Sequence, residues 1–346
     1  MSTGSLRREF FGQDDGTDTA PAEAFDIDRL VRLHGRELHV HCYRMLGSPE
    51  DAEDAVQETF IRAWARQDTF ASRSTVRAWL YGIATNACLD VLRQRKSRAW
   101  PTHGWPAAQP RQHPAPPADI AWLRPYPDRL LTLDLEGNPG PEAAYAARET
   151  IELAFLAALQ HLPPRQRAVL ILRDVMRWPA GDVATVLETT TTAVNSALQR
   201  AHATMATKLD ADPHTWQAAR ERDHRHLLQA LVAAWEREDV PKLLELLRDD
   251  ARLVMPPRPT WFDGRDAVAA FFTGHVFGAM GAAWRLLPTE ANGQAAFGLY
   301  QAIGGSRVHR RFGVGVLDAT ATRITQIAMF VDEPHLFDLF ALPGSA

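Results

Sequence analysis

Four cations, Arg93, Arg95, Lys96 and Arg98, stand within six residues at the end of a segment that carries Trp79. Cations suit a helix C-terminus on dipole grounds alone. Beside an aromatic-bearing helix they also suit phosphate contact with base stacking on single-stranded DNA. A second set, Asn195, Ser196, Gln199 and Arg200, shares one face at helical spacing. Asn and Gln match adenine edges, and Arg matches guanine or phosphate. Thr191 and Thr192 precede them, where hydroxyls and exposed backbone donors can reach a phosphate. A solvated polar side chain has the same signature at any one of these positions. His39, His41 and Cys42 invite a metal reading, but spacings of two and one put them on different sides of a helix. No metal and no cofactor is expected.

These groups need rigid elements behind them. Ser48 suits an N-cap, Pro49 the first helical position, and Glu50 and Asp51 the first turn. Ala52, Ala55, Val56, Phe60, Ala63 and Trp64 form its apolar face, with Asp51, Asp54, Gln57, Glu58 and Arg62 opposite. That acidic face is also what any solvated helix shows. After a loop at 68–74, Thr75 opens a helix whose apolar positions are Trp79, Leu80, Ile83, Ala84, Ala87, Leu89 and Leu92. Further on, Pro141-Glu142 opens one helix and Pro163-Pro164 starts another. Two short helices then follow, joined at Glu188-Thr189-Thr190, with Val183, Ala184, Val194 and Leu198 available to pack together. This is a helix-turn-helix pattern. Glu188 stands where such a turn commonly uses glycine for positive φ, which predicts a strained or reshaped turn.

Length and composition set the frame. The 346 residues allow two or three domains, and 46% hydrophobic with 23% charged residues can build ordinary cores. The net charge of −4 requires any nucleic-acid surface to be local. Cys42 and Cys88 are too few for a disulfide framework and fit a reducing cytoplasm. No apolar run approaches the roughly 20 residues of a membrane span. Residues 1–24 read as a polar, disordered tail. Residues 99–141 carry ten prolines (Pro101, Pro106, Pro110, Pro114, Pro116, Pro117, Pro125, Pro127, Pro139 and Pro141), which predicts an extended linker. Its aromatic cluster, Trp122 and Tyr126, is expected to pack on a domain surface.

The pair HCYRMLGSPEDAEDAVQETFIRAWA and STVRAWLYGIATNACLDVLRQRKSR resembles region 2 of an extracytoplasmic-function (ECF) RNA polymerase sigma factor. LAALQHLPPRQRAVLILRDVMRW with the helix-turn-helix is similar to region 4 of the same family. The resemblance implies two all-α domains, at 25–98 and 142–210, joined by the 99–141 linker, which threads the polymerase. It implies that Asp51, Asp54, Gln57 and Glu58 dock on the β′ clamp helices of core polymerase, and that region 4 meets the β flap. It implies that Phe70, Ser72 and Arg73, with Asn86, Asp90 and Arg93 and the neighbouring Arg95 and Lys96, meet the −10 promoter element. Thr191, Thr192, Asn195, Ser196, Gln199 and Arg200 would then read the −35 element, with Arg165 and Arg167 on the DNA backbone. His202 replaces a residue that is usually basic in the family, so the −35 surface is thinly charged.

Residues 222–343 switch from helix to strand patterning. Helices at His226–Glu236 and Val240–Leu247 precede a strand at Ala251–Met255, a turn at Trp261–Arg265 and a helix after it. Strand-like runs follow at Ala283–Thr289, Gln294–Ala302, Arg307–Leu317 and Thr322–Phe330, then a last helix around His335–Phe340. The order, with the FDGRDAVAAFF turn and helix, resembles the SnoaL-like (NTF2-like) α+β cone-shaped barrel. Trp261, His275, Tyr300, His309 and Asp332 are its candidate pocket residues. No acid–base pair is identifiable from spacing, so packing or ligand binding is expected there rather than catalysis.

The leading expectation is a cytoplasmic, non-enzymatic initiation factor. It binds core polymerase and promoter DNA, does not bind membranes, and is controlled by its fused domain without an obligatory anti-sigma protein. Two alternatives stay open. An ordinary DNA-binding regulator leaves the acidic helix without purpose. A SnoaL-like small-molecule enzyme or ligand sensor on a DNA-binding arm needs a ligand the sequence does not name.

Overall fold

Capping sets the first three helices. A computed structural model gives the architecture and describes residues 26–67, 75–95, 97–131, 151–208 and 225–346. Helix α1 (Ile27–Leu46) starts where the Asp26 carboxylate accepts from Arg29 N, and ends at Gly47, whose φ of 70° closes a bond to Tyr43 O. Ser48 accepts from Asp51 N and Pro49 follows, so α2 (Pro49–Ala65) begins one residue after α1's cap. Thr75 caps α3 (Val76–Gln94) in the same way. Leu38, Met45, Ala52, Phe60, Leu80 and Ala84 are all buried between the three.

The second helical segment joins the same compact unit, which comprises 1–95 and 163–201. Helix α6 (Pro164–Leu170) continues through a wider turn at Ile171–Val175. Helix α7 (Ala180–Val186) and helix α8 (Thr191–Lys208) form the helix-turn-helix. Glu188 between them has φ 49°, so a non-glycine residue holds the left-handed turn. Val183, Ala184 and Val194 are buried between the helices, while Leu198 is only half-buried. The Tyr81 and Trp178 rings meet edge-on at 5.4 Å, which joins α3 to the segment before α7.

The other unit, 96–162 with 202–346, holds one sheet. Helices α9 (Arg225–Glu236) and α10 (Val240–Leu246) lead into β1 (Leu247–Val254) and β2 (Trp261–Asp263). Helix α11 (Arg265–Phe271) widens into a π turn at Phe272–Ala279. Strands β3 (Ala282–Ala291), β4 (Gln294–Ile303), β5 (Arg310–Ala319) and β6 (Ile324–Val331) then form an antiparallel meander, followed by α12 (His335–Leu339). Sheet order is β2-β1-β6-β5-β4-β3, and β1 pairs with β6 in parallel. The sheet is therefore mixed, and Trp261-Phe262-Asp263 is a strand where a turn is expected. Phe262 is fully buried and pairs with Leu253, which is why this short segment extends.

The proline-rich segment is laid along this sheet domain. It contains a four-residue helix, α4 (Pro101–Gly104); helix α5 (Leu153–Leu159) lies beyond it, in the same unit. Trp261 Nε1 donates to Trp105 O at 2.8 Å and Ala108 N to Trp261 O at 2.8 Å. Ala115 N donates to Thr260 Oγ1, and Ala118 N to Pro257 O. Asn292 holds the far end: its Oδ1 accepts from Tyr126 N, its own N–H donates to Tyr126 O, and its Nδ2 donates to Ile151 O. Trp122 and Tyr126 are buried, Trp122 against Trp105. The segment's backbone donors are thus met partly by the sheet domain and partly within the segment, where Ala99 N donates to Ala121 O and Leu123 N to Ala99 O.

Candidate nucleic-acid interface and C-terminal cavity

Asp54 and Gln57 lie exposed on α2, while Asp51 and Glu58 are half-buried and already paired. Arg95 Nη1 donates to Asp51 at 2.7 Å and Arg62 Nε to Glu58 at 2.6 Å. Ile61 and Trp64 are 61% and 60% exposed on the same helix. This corrects the placement of Trp64 on the buried face. The helix buries Ala52, Ala55, Val56, Thr59, Phe60 and Ala63, and Trp64 falls outside the area that α1 and α3 cover. The sequence pattern missed Ile61 as well.

A buried network fixes α3 against α1. Glu37 accepts from His34 Nδ1 at 2.6 Å, Arg77 Nε at 2.7 Å and Tyr81 OH at 3.2 Å. Burial pushes the Glu37 carboxyl up, but the hydrogen bonds from His34 and Arg77 outweigh it and hold the group below its usual value. One turn away, His41 Nε2 faces Thr85 Oγ1 at 2.9 Å, and burial drives its pKa down to about 3. His39 faces Glu53 instead. Cys42 and Cys88 are buried free thiols.

Of the residues expected at the −10 element, Phe70, Ser72, Arg73 and Lys96 lie outside the described residues. Asn86 is exposed on α3. Asp90 is held by Arg62 at 2.9 Å and by Arg93, so its carboxylate is already paired. Asn86, Trp79 and Gly82 line a groove of about 330 Å³, whose opposite wall is Trp178, Asp182, Thr185 and Val186. The face of α3 that carries Asn86 is therefore faced by α7.

On α8, Thr190 Oγ1 accepts from Ala193 N and caps the helix. Thr191, Thr192, Asn195, Gln199 and Arg200 are exposed, and Ser196 is half-buried. Val194 and Ala201 point inward. Arg165 is exposed, but Arg167 is fully buried and donates from Nη1 to Met45 O at 2.6 Å. In this arrangement Arg167 does not reach a phosphate. Burial lowers its guanidinium pKa to about 10, still charged at neutral pH.

The sheet domain encloses a cavity of about 400 Å³. His275 and Asp332 line it, as expected. Trp261, Tyr300 and His309 do not. Trp261 bonds to the linker, Tyr300 OH donates to Pro343 O at 2.9 Å, and His309 pairs through its backbone with Ala346. The wall is instead built by Trp235, Trp284, Phe271, Phe272, Met255 and Met329. Alternation along the strands signals that these side chains point inward, but not that they surround a space. His113 and Pro114, from the proline-rich segment, complete the rim.

Comparisons with known proteins agree with this layout. Residues 30–98 match the family model for Sigma-70 region 2, residues 152–205 that for Sigma-70 region 4, and residues 228–330 that for the SnoaL-like domain. The chain is 39% identical over 335 residues to the ECF RNA polymerase sigma factor SigG of Mycobacterium tuberculosis, covering 96% of this chain and 88% of that one. It is 29% identical over 240 residues to SigJ of the same organism, 68% of each chain. The crystal structure of SigJ aligns over 92% of this chain and all of that one, with a TM-score of 0.60 at 21% identity, a likeness of fold.

Proposed function

The chain belongs to the extracytoplasmic-function RNA polymerase sigma factors, proteins that direct polymerase to promoters, and from that premise we propose how its parts divide the work. The α2 face docks on core polymerase. The exposed end of α3, with the loop before it, meets the −10 element, and α8 meets the −35 element. The observation that carries this reading is the row Asp54, Gln57, Ile61 and Trp64. Two large apolar side chains exposed on an acidic helix form a protein-docking surface rather than a solvated face.

The SnoaL-like domain modulates this activity through the linker. A linker that must thread the polymerase cannot also keep its backbone bonds to Thr260, Trp261 and Asn292. Docked, it is withheld; released, it is available. Control is intramolecular in this reading and needs no obligatory anti-sigma protein. The domain acts by binding and not by catalysis, in the cytoplasm where polymerase works. Asp332, the carboxylate at the cavity rim, is paired with Arg258 at 2.7 Å rather than poised as a base.

The test is reconstituted transcription from cognate promoter DNA with core polymerase, using the full chain and a chain lacking residues 222–346. Absence of promoter-dependent transcripts from both chains would refute the promoter-reading assignment. Equal output from both would remove the modulating role.

A further inference from the structure

The match to Sigma-70 region 4 spans residues 152–205, but the two compact units divide it. Residues 163–201, with α6, α7 and α8 as far as Ala201, belong with 1–95. Helix α5, the first helix of the match, belongs to the sheet unit. It has seven residues and no side-chain cap bond at its start. Isolated helices shorter than roughly 12 residues are marginal, so α5 needs support from outside itself. The sheet supplies it. Gln294 Oε1, at the start of β4, accepts from Leu153 N, the first N–H of α5, at 3.0 Å. The Gln294 amide is oriented for this contact. Its Nε2 donates to Leu317 O at 3.3 Å and to the Asp318 carboxylate, which turns its oxygen toward α5.

The turn before Gln294 adds a second hold. Asn292 (φ 58°) and Gly293 (φ 71°) form the two-residue turn between β3 and β4, and Asn-Gly is the pair that such a left-handed turn favours. Connecting turns ordinarily run over the surface. Asn292 is instead 0% exposed. Its Nδ2 donates at 2.7 Å to the carbonyl oxygen of Ile151, two residues before α5. Its Oδ1 accepts from Tyr126 N and its backbone N–H donates to Tyr126 O, each at 2.8 Å. Gly293 N donates to Asp128 Oδ1 at 2.8 Å. One turn thus holds the end of the linker and the entrance to region 4 together. The far end of α5 meets the beginning of the linker: Arg98 N donates to Gln160 Oε1 at 3.3 Å, and His103 Nδ1 and His161 Nε2 lie 3.0 Å apart.

The reversal of the chain does not require these bonds. Gly-Gly makes the same turn without a side chain. The amides of Asn292 and Gln294 act on another segment, and that segment opens region 4. In the function proposed above region 4 works as one domain, α5 with α6, α7 and α8. A helix whose first N–H is met by Gln294 is committed to the sheet unit instead.

We propose that the β3–β4 turn, Asn292-Gly293-Gln294, is a catch for region 4: it binds the chain at Ile151–Leu153 in the free protein and gives it up when core polymerase takes region 4. The C-terminal domain thereby withholds a promoter-reading domain directly, and not the linker alone. The apparent affinity for polymerase falls by the fraction of chains in which the catch is closed. This rests on the modulating role proposed above and gives that role a partner within the chain.

The test is hydrogen exchange of the full chain at neutral pH, paired with reconstituted transcription at a chain concentration that does not saturate core polymerase. Asn292→Gly keeps the left-handed turn and the backbone bond to Tyr126 and removes the amide. Gln294→Met keeps the length and removes the acceptor. Each is expected to speed exchange across 151–162 about fivefold, the effect of one net hydrogen bond, and to raise promoter-dependent output several-fold. Gln294→Met also takes a donor from Asp318, so exchange in β5 and β6 is followed as a check on the sheet. Asn292→Gly leaves Asp318 untouched and carries the test if that check fails. Unchanged exchange across 151–162 in Asn292→Gly would overturn the catch, and so would faster exchange with unchanged output. The truncation described above separates this proposal from the reading beneath it. Output altered by truncation but not by Asn292→Gly removes the catch and leaves the modulating role; output altered by neither removes both.

Discussion

Arg167, at the start of α6, donates from Nη1 to the backbone carbonyl of Met45 at the end of α1, 2.6 Å away and fully shielded from water. The bond joins two segments 122 residues apart that belong to one compact unit. It is a charged hydrogen bond, worth about 1.5–3 kcal/mol in general, set against the cost of burying a cation. Arg167→Met keeps the bulk and removes both. With the tie gone, α7 is free to move away from the face of α3 that it lines across the groove. The expected outcome is a longer, broader distance distribution between dyes at Gln57 and Gln199 in single-molecule energy transfer. An unchanged distribution would show that the tie does not hold the two segments together.

The α2 row makes a cleaner separation of stability from binding. Ile61 and Trp64 contribute little to the core, so Ile61→Ala and Trp64→Ala should each leave stability within about 0.5 kcal/mol. If they sit at the centre of the polymerase contact, each should cost about 2 kcal/mol of association, roughly a thirtyfold loss. Titration of labelled core polymerase, with urea melts of the same variants, measures both. A large stability loss with normal polymerase binding would return Trp64 to the core role its periodicity suggests.

What the sequence disclosed was local. The caps at Ser48, Pro49 and Thr75, the helix-turn-helix and the positive φ of Glu188 are consequences of side chains acting on their own backbone, and each was legible. Arg167, Trp64 and the cavity wall were not. Arginine before a helix-turn-helix reads as a phosphate contact, and only the arrival of α1 buries it. Trp64 fits the helical period but lies beyond its neighbours' reach. The parallel pairing of β1 with β6 leaves no mark on either strand's alternation. The linker's prolines announced an extended chain, but its docking partners, Thr260, Trp261 and Asn292, lie more than 120 residues away.

Two buried groups, His41 in the helical unit and Asp318 in the sheet unit, are expected to respond to acid in opposite senses. His41 has a folded pKa of about 3 against an ordinary 6.5, so between these values the unfolded chain holds the extra proton. Its contribution is intact above about pH 6.5 and is lost as pH falls, by up to about 1.4 kcal/mol per pH unit. Asp318 in the sheet unit runs the other way. Burial raises its pKa to about 6, opposed by hydrogen bonds from Gln294 and Gln326, so the folded state holds the proton between about 3.8 and 6. Acidification through that window favours the sheet unit. Hydrogen exchange between pH 4.5 and 7 should show helical amides losing protection while β4 and β5 gain it. His41→Gln should flatten the first trend and Asp318→Asn the second; parallel trends in both units would contradict the assignment.

Asn195 and Gln199 stand one turn apart on the exposed face of α8, with Val194 and Ala201 buried behind them. That spacing allows both to reach bases in one major groove, and each bidentate pair discriminates by about 1–3 kcal/mol. Arg165 is exposed where Arg167 is buried, and the reading proposed for it is a phosphate contact. The two kinds of contact separate under salt. Asn195→Ala and Gln199→Ala, assayed as polymerase holoenzyme on wild-type and −35-substituted promoters, should narrow the preference for the wild-type element. Their salt dependence should stay unchanged. Arg165→Ala should weaken binding to all these promoters alike and reduce the slope of log K against log salt by about 1. Equal loss on every promoter from Asn195→Ala and Gln199→Ala would mean that α8 positions the protein and that the bases are read elsewhere.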